Sequence, residues 1–217
     1  MFSLGRLLTF GIFAFLVYMG FYAVPGGMAG PSDFDPEEVA RHEVAAWRAA
    51  RVREELPTFM SCVLYQRELH RMSWFRAVES GMALSKVLTT LPQMTNRFER
   101  SLPQLEQVAS IEKTWKEAEF DPARVARSQL NWMITTKNPR QGDNAQRSAG
   151  DMADEWGMRF GIQPVFMFPA ASDRADAFRQ ILGQPADPDW DQLTLLLTRS
   201  YTTLKTTLAR ARDANAP

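Results

Sequence analysis

The sequence is poor in the residues that most often announce chemistry. It has one cysteine and two histidines in 217 residues. A lone thiol, Cys62, forms no internal disulfide, and no CxxC or CxxCH occurs. Zinc-ribbon, thioredoxin-like and c-type haem readings are excluded, and Cys62 reads as a small buried apolar residue. Neither His42 nor His70 has Glu three residues before it, so the paired Glu-x-x-His of a di-metal helix bundle is missing. Both histidines sit in charged runs, EEVARHE and RELHRM, that read as exposed faces. There is no GxSxG, no Walker A and no GxGxxG. Charge of one sign is lacking too, since 25 Lys and Arg balance 25 Asp and Glu. That removes the basic footprint of a nucleic-acid binder and the polybasic signature of charge-driven lipid binding. No convincing apolar–polar alternation and no Asn-Gly or Asp-Gly hairpin signal appears, which leaves β-structure without support.

What is present begins with a long apolar run. Arg6 and Asp33 bracket 26 residues without a charge, and LLTFGIFAFLVYMGFYAV fills residues 7–24. As a helix it reaches about 27 Å, close to the hydrocarbon thickness of a bilayer. Tyr18 and Tyr22 lie toward its far end, where amphipathic rings favour the interface. A signal peptide cut near Gly27-Met28-Ala29 is the competing reading. The short positive region and the length of the run favour a retained anchor. Arg6 before the span and the acidic Asp33, Asp35, Glu37 and Glu38 after it put residues 1–6 in the cytoplasm and the body in the periplasm. Residues 25–33 then form a linker, 34–212 an extracytoplasmic domain, and 213–217 a frayed tail.

The body reads as all-α, an irregular multi-helix domain behind an N-terminal transmembrane helix. Periodicity and Pro/Gly punctuation predict helices over 36–55, 58–71, 74–90, 103–118, 121–136, 145–160, 173–182 and 188–211. Two of them open on nearly the same phrase, FDPEEVAR at 34–41 and FDPARVAR at 120–127, with six of eight letters identical. The phrase is a helix-starting device. Asp35 is a good N-cap, Pro36 suits the first helical position, and Phe34 with Val39 occupies the two places of a hydrophobic staple. Glu38 is placed to complete a capping box. The second copy keeps Phe120, Asp121, Pro122 and Val125 but has Arg124 where the box wants Glu. DPDW at 187–190 reuses Asp187-Pro188. Behind each phrase, Ala40, Val44 and Trp47 match Ala126, Leu130 and Met133, so both helices launch an apolar face at the same phase. A duplication predicts that the two helices hold similar orientations toward the core.

These residues carry a resemblance. Phe34-Asp35-Pro36, Val39-Ala40, Glu43 and Trp47 give FDPxxVAxxExxxW, and Ala126-Arg127, Gln129-Leu130 and Trp132 follow a looser ARxELxWW. The sequence resembles a group of bacterial single-span membrane proteins that carry both patterns after the span, over residues 34–135. The resemblance implies architecture and no particular chemistry. Where the second pattern has Glu this chain has Gln129, and Met133 replaces its second Trp. A paired-carboxylate site would therefore be half present, and an enzyme would need a cleft that gathers Glu43, Gln129 and a histidine.

One block remains, FGIQPVFMFPAAS at 160–172. Val165, Phe166, Met167 and Phe168 are fenced by Pro164 and Pro169. They form either a connector plugged into the core or an exposed strip that docks on a partner or the membrane surface. The expectation from sequence is a non-catalytic protein without metal or cofactor. It would be an accessory or scaffold subunit of a larger membrane assembly, of respiratory or photosynthetic type by analogy only. It would touch the bilayer through residues 7–24 and a protein partner, with no nucleic acid. The alternative is an extracytoplasmic binding module for a small apolar or lipid-like ligand, suggested by the aromatic and Met content.

Overall fold

A computed structural model describes residues 33–94, 96–137, 145–183 and 187–214. The expected span at 7–24 lies outside them. No helix among the described residues is long and apolar enough to cross a membrane.

The described residues form eight α-helices and two short 3-10 turns, with no strand among them. The helices are α1 (Pro36–Arg51), α2 (Glu55–His70), α3 (Trp74–Thr90), α4 (Leu102–Lys116), α5 (Pro122–Lys137), α6 (Ala145–Phe160), α7 (Pro164–Gly183) and α8 (Trp190–Ala214). Each packs on the next, and α8 returns to pack on α1, so the contacts close into a cycle. The all-α expectation holds for the described residues. Successive helices run in opposite directions. At one end the Asp35 amide donates to Glu68 on α2, Trp115 Nε1 on α4 donates to the His70 carbonyl, and Lys205 on α8 donates to the Phe34 carbonyl. At the other end Arg51 on α1 reaches the Ile181 carbonyl on α7, and Lys137 on α5 reaches the Leu91 carbonyl beyond α3.

The repeated phrase marks a repeated unit. Pro122, Ala145, Pro164 and Trp190 follow Pro36, Glu55, Trp74 and Leu102 by 86, 90, 90 and 88 residues. Helices α1–α4 and α5–α8 are thus two antiparallel four-helix halves, and the extra contact of α1 with α3 is matched by that of α5 with α7. The similar orientations expected of α1 and α5 are found. Val39, Ala40, Val44 and Trp47 are buried, and so are Val125, Ala126, Leu130 and Met133.

The caps explain why the phrase works and where the reading of it needs correction. Asp35 accepts from the amides of Glu37 and Glu38, and Asp121 accepts from that of Ala123. Phe34 and Phe120 are buried beside Val39 and Val125 in their respective apolar clusters. Glu38 does not close the capping box. It pairs with Arg41 and His42, and Glu68 takes the Asp35 amide instead. At α8 the cap is Asp189, which accepts from Asp191 and Gln192, while Asp187 accepts from the Trp190 indole. A turn at Val52-Arg53, with Arg53 at φ 63, separates α1 from α2, where sequence put one helix to residue 55. Helix α8 runs to Ala214, into the tail expected to fray.

The largest correction is at α7. Sequence started this helix at 173, but it begins at Pro164 and carries Pro169 inside. Pro169 lacks only the amide that would bond to Val165, in the second turn, so the cost is one hydrogen bond near a helix end. Met167, Ala170, Ala171, Arg174 and Phe178 then form the buried face.

Candidate functional site: a buried polar core

Seven helices send a polar side chain to the middle of the bundle. Glu43 comes from α1, Tyr65, Gln66 and His70 from α2, Glu112 from α4, Gln129 and Trp132 from α5. Glu155 and Arg159 come from α6, Arg174 from α7 and Tyr201 from α8. All of these are buried. Buried polar groups need partners, and most of these find them in one another.

They do so in two linked clusters. In the first, Glu43 accepts from Arg174 Nη2 at 2.5 Å and from the Tyr201 hydroxyl at 2.7 Å. The Tyr201 proton is committed to Glu43, so at the 3.1 Å contact between the two hydroxyls Tyr65 donates to Tyr201. The Arg174 guanidinium also lies 5.3, 5.1 and 4.9 Å from the rings of Trp132, Trp156 and Phe178. In the second cluster, Arg159 pairs with Glu112, donates through Nε to Glu155 at 2.6 Å, and through Nη2 to Gln129 at 2.8 Å. Glu155 accepts the Trp132 indole N–H at 2.6 Å on its other oxygen, and Glu112 meets His70 Nε2 at 3.2 Å. All six carboxylate oxygens of Glu43, Glu112 and Glu155 are therefore engaged.

The electrostatics follow from burial. Desolvation pushes Glu155 up to about 7, against the pull of the Arg174 charge and the Trp132 hydrogen bond. Desolvation, then the Lys116 and Arg159 charges, hold His70 well below its ordinary value, which favours the neutral imidazole beside Glu112. Burial raises Cys62, Tyr65 and Tyr201, with the Glu43 charge adding to each. Arg174 is raised well above its ordinary value, because Glu43 and the tyrosines outweigh desolvation.

Two ion pairs join the halves across the core. Glu43 and Gln129 are each the eighth residue of their helix, and Tyr65 and Glu155 each the eleventh. Arg174 stands where the first half has Leu84, and Arg159 where it has Leu69. Glu43–Arg174 and Glu112–Arg159 are thus ion pairs between halves. Between the clusters lies a cavity of about 40 Å³, lined among others by Glu43, His70, Gln129, Glu155 and Arg174. That is room for a few water molecules. Gln66 Oε1, His70 Nδ1 and Arg174 Nε on its lining residues have no protein partner.

Glu43, Gln129 and a histidine do line one cavity. His70 sits in a run that reads as exposed but is buried, because RELHRM ends α2 against Trp115 of α4. His42 is half-buried and paired with Glu38, as their i, i+4 spacing suggests. Cys62 is buried, as expected. Glu112, Glu155, Arg159 and Arg174 were not singled out. The signal was their phase, since Glu155 and Arg159 fall on the arc of Met152 and Trp156, and Arg174 on that of Ala171 and Phe178. Of the strip, Val165, Phe166 and Phe168 are 68%, 59% and 37% exposed, but Met167 is fully buried. Helical geometry turns Met167 inward while its neighbours face out. No group of three or more His, Cys, Asp or Glu side chains among the described residues is arranged to hold a metal ion.

No family model matches the chain, and no match is found among curated proteins or solved structures.

Proposed function

We propose that the chain is a membrane-anchored, non-catalytic accessory or scaffold subunit of a larger membrane assembly. Residues 7–24 tether it, with the N-terminus cytoplasmic and the helical domain periplasmic. The observation that supports the membrane-anchored part of this reading is the exposed strip Val165, Phe166 and Phe168, at the bundle end that carries Phe34. Exposed apolar side chains grouped at one place mark an interaction surface. The polar core supports the same reading. Its carboxylates are held by fixed donors, its imidazole is kept neutral and its thiol is pushed up, so it offers rigidity in place of an activated nucleophile. Extraction in mild detergent should bring the chain out with other membrane subunits on native gels. A lone monomer would contradict the proposal.

One observation favours a second reading. The unpartnered Gln66, His70 and Arg174 atoms fit a small polar solute of a few heavy atoms, and the cavity volume is far below that of a lipid tail. A crystal structure with a solute other than water in the cavity would favour this reading. Water alone there would count against it.

A further inference from the structure

The apolar residues at the anchor end come in two groups, and the internal repeat relates them. Val165 is the second residue of α7, and Phe75 is the second residue of α3. Phe75 is 43% exposed. Helices α3 and α7 stand four places apart in a cycle of eight, so their first turns lie on opposite sides of the bundle. Both first turns lie at the end that carries Phe34. On α3, Ser73 caps directly after His70, whose carbonyl receives Trp115. On α7, Ala170 meets Ser200, so residues 164–168 extend toward Lys205, which holds the Phe34 carbonyl.

That end is also the one tied closest to the apolar segment. The residues between 24 and 34 span about 30 Å at full extension. Two apolar groups separated at one end of a bundle can both meet a bilayer, whereas a single docking peptide would reach one of them. Half-buried Trp74 and Trp115 lie at the same end, with Arg67 over the Trp74 ring at 4.3 Å, an arrangement suited to the headgroup region. Charge does not favour an anionic surface there, because Arg71 pairs with Glu68 and Arg76 with Glu79. The far end exposes Val52, Leu56 and Met60, but it lies a helix length away from Phe34, where the chain leads back to residues 7–24.

We propose that this end of the bundle rests on the bilayer, with Val165, Phe166 and Phe168 on one side and Phe75 on the other entering the headgroup level of the lipid. The proposal rests on the reading of residues 7–24 as a retained anchor and names the partner of the exposed strip. The seat is apolar, so it forms on zwitterionic lipid and persists at high salt.

The test uses the full chain with an environment-sensitive dye on Phe166→Cys or, at the far end, on Leu56→Cys. Cys62 is fully buried and stays unlabelled. Each variant is reconstituted in phosphatidylcholine vesicles carrying a headgroup-level nitroxide lipid. The expected result is loss of most emission at position 166, unchanged at high salt, with emission at position 56 retained. Vesicles that float with the chain but leave position 166 unquenched overturn the seat and leave the anchor standing. Quenching at position 56 equal to that at 166 also overturns it. A label at 166 that is silent to the nitroxide lipid, yet shielded from aqueous iodide in native membranes, assigns the strip to a protein partner instead. A chain that does not float with vesicles overturns the anchored reading and the seat with it.

Discussion

The carboxylate of Glu43 on α1 and the guanidinium of Arg174 on α7 meet at 2.5 Å, both buried, and join the two halves of the chain. Removing one partner strands the other charge in the interior. Glu43→Ala should destabilise the fold by about 3–5 kcal/mol in urea denaturation. The double change Glu43→Gln with Arg174→Met should recover most of that loss. A double variant as unstable as the single one would show that the pair is not the source of the effect.

Gln129 occupies in α5 the place that Glu43 holds in α1, and it accepts from Arg159. Gln129→Glu would crowd a third carboxylate beside Glu112 and Glu155 around one guanidinium. At pH 8 this variant should be about 2 kcal/mol less stable than the parent chain. The deficit should shrink toward pH 5 as the added carboxyl protonates. A deficit independent of pH would point to shape and not charge.

Glu155 and His70 make opposite contributions to the pH dependence of stability. Burial raises Glu155 from 4.5 to about 7, so the native state holds its proton more tightly than the unfolded chain. Its contribution is complete below about pH 4.5, amounts to about 3 kcal/mol, and is lost as pH rises through 7. His70 is depressed below 6.5, so its contribution is present above that value and lost as pH falls. Relative to the parent chain, Glu155→Gln should lose stability on acidification from pH 8 to 5, and His70→Gln should gain it. Urea midpoints across that range measure both, and slopes of the same sign would contradict the assignment.

Two glycines in helices should respond in opposite directions to alanine. A Cβ on Gly81 would stand 2.7–2.9 Å from atoms of Val63, including its backbone, where α3 crosses close to α2. Gly81→Ala should cost about 1–3 kcal/mol. Gly150 has open space around the same position, and Gly150→Ala should add up to about 1 kcal/mol. Thermal unfolding of the two variants checks the sign of each.

The parts of the fold written in local chemistry were legible in the sequence. Asp35 and Asp121 cap because each carboxylate stands directly ahead of a helix whose first-turn amides are free, and Phe34 with Val39 follows from the same few residues. The repeat was visible as a phrase, but its extent was not. Tyr65 and Glu155, or Leu84 and Arg174, match in position and not in residue type. The polar core was illegible for a related reason. A charged residue such as Arg174, set between Asp173 and Asp176, reads as a solvated face unless its phase is compared with the buried arc. The start of α7 was missed because Pro164 and Pro169 read as loop punctuation, whereas near a helix start a proline forfeits little. The exposure of Phe166 beside buried Met167 depended on that helix.

The central claim is that the chain works as an anchored subunit in a larger assembly. Native mass spectrometry of the full chain, extracted from its own membranes in mild detergent, tests it most directly. The account predicts the intact 24.6 kDa chain, apolar segment included, within a complex that contains other membrane subunits. A chain trimmed of its first residues, or an intact chain alone, would contradict it.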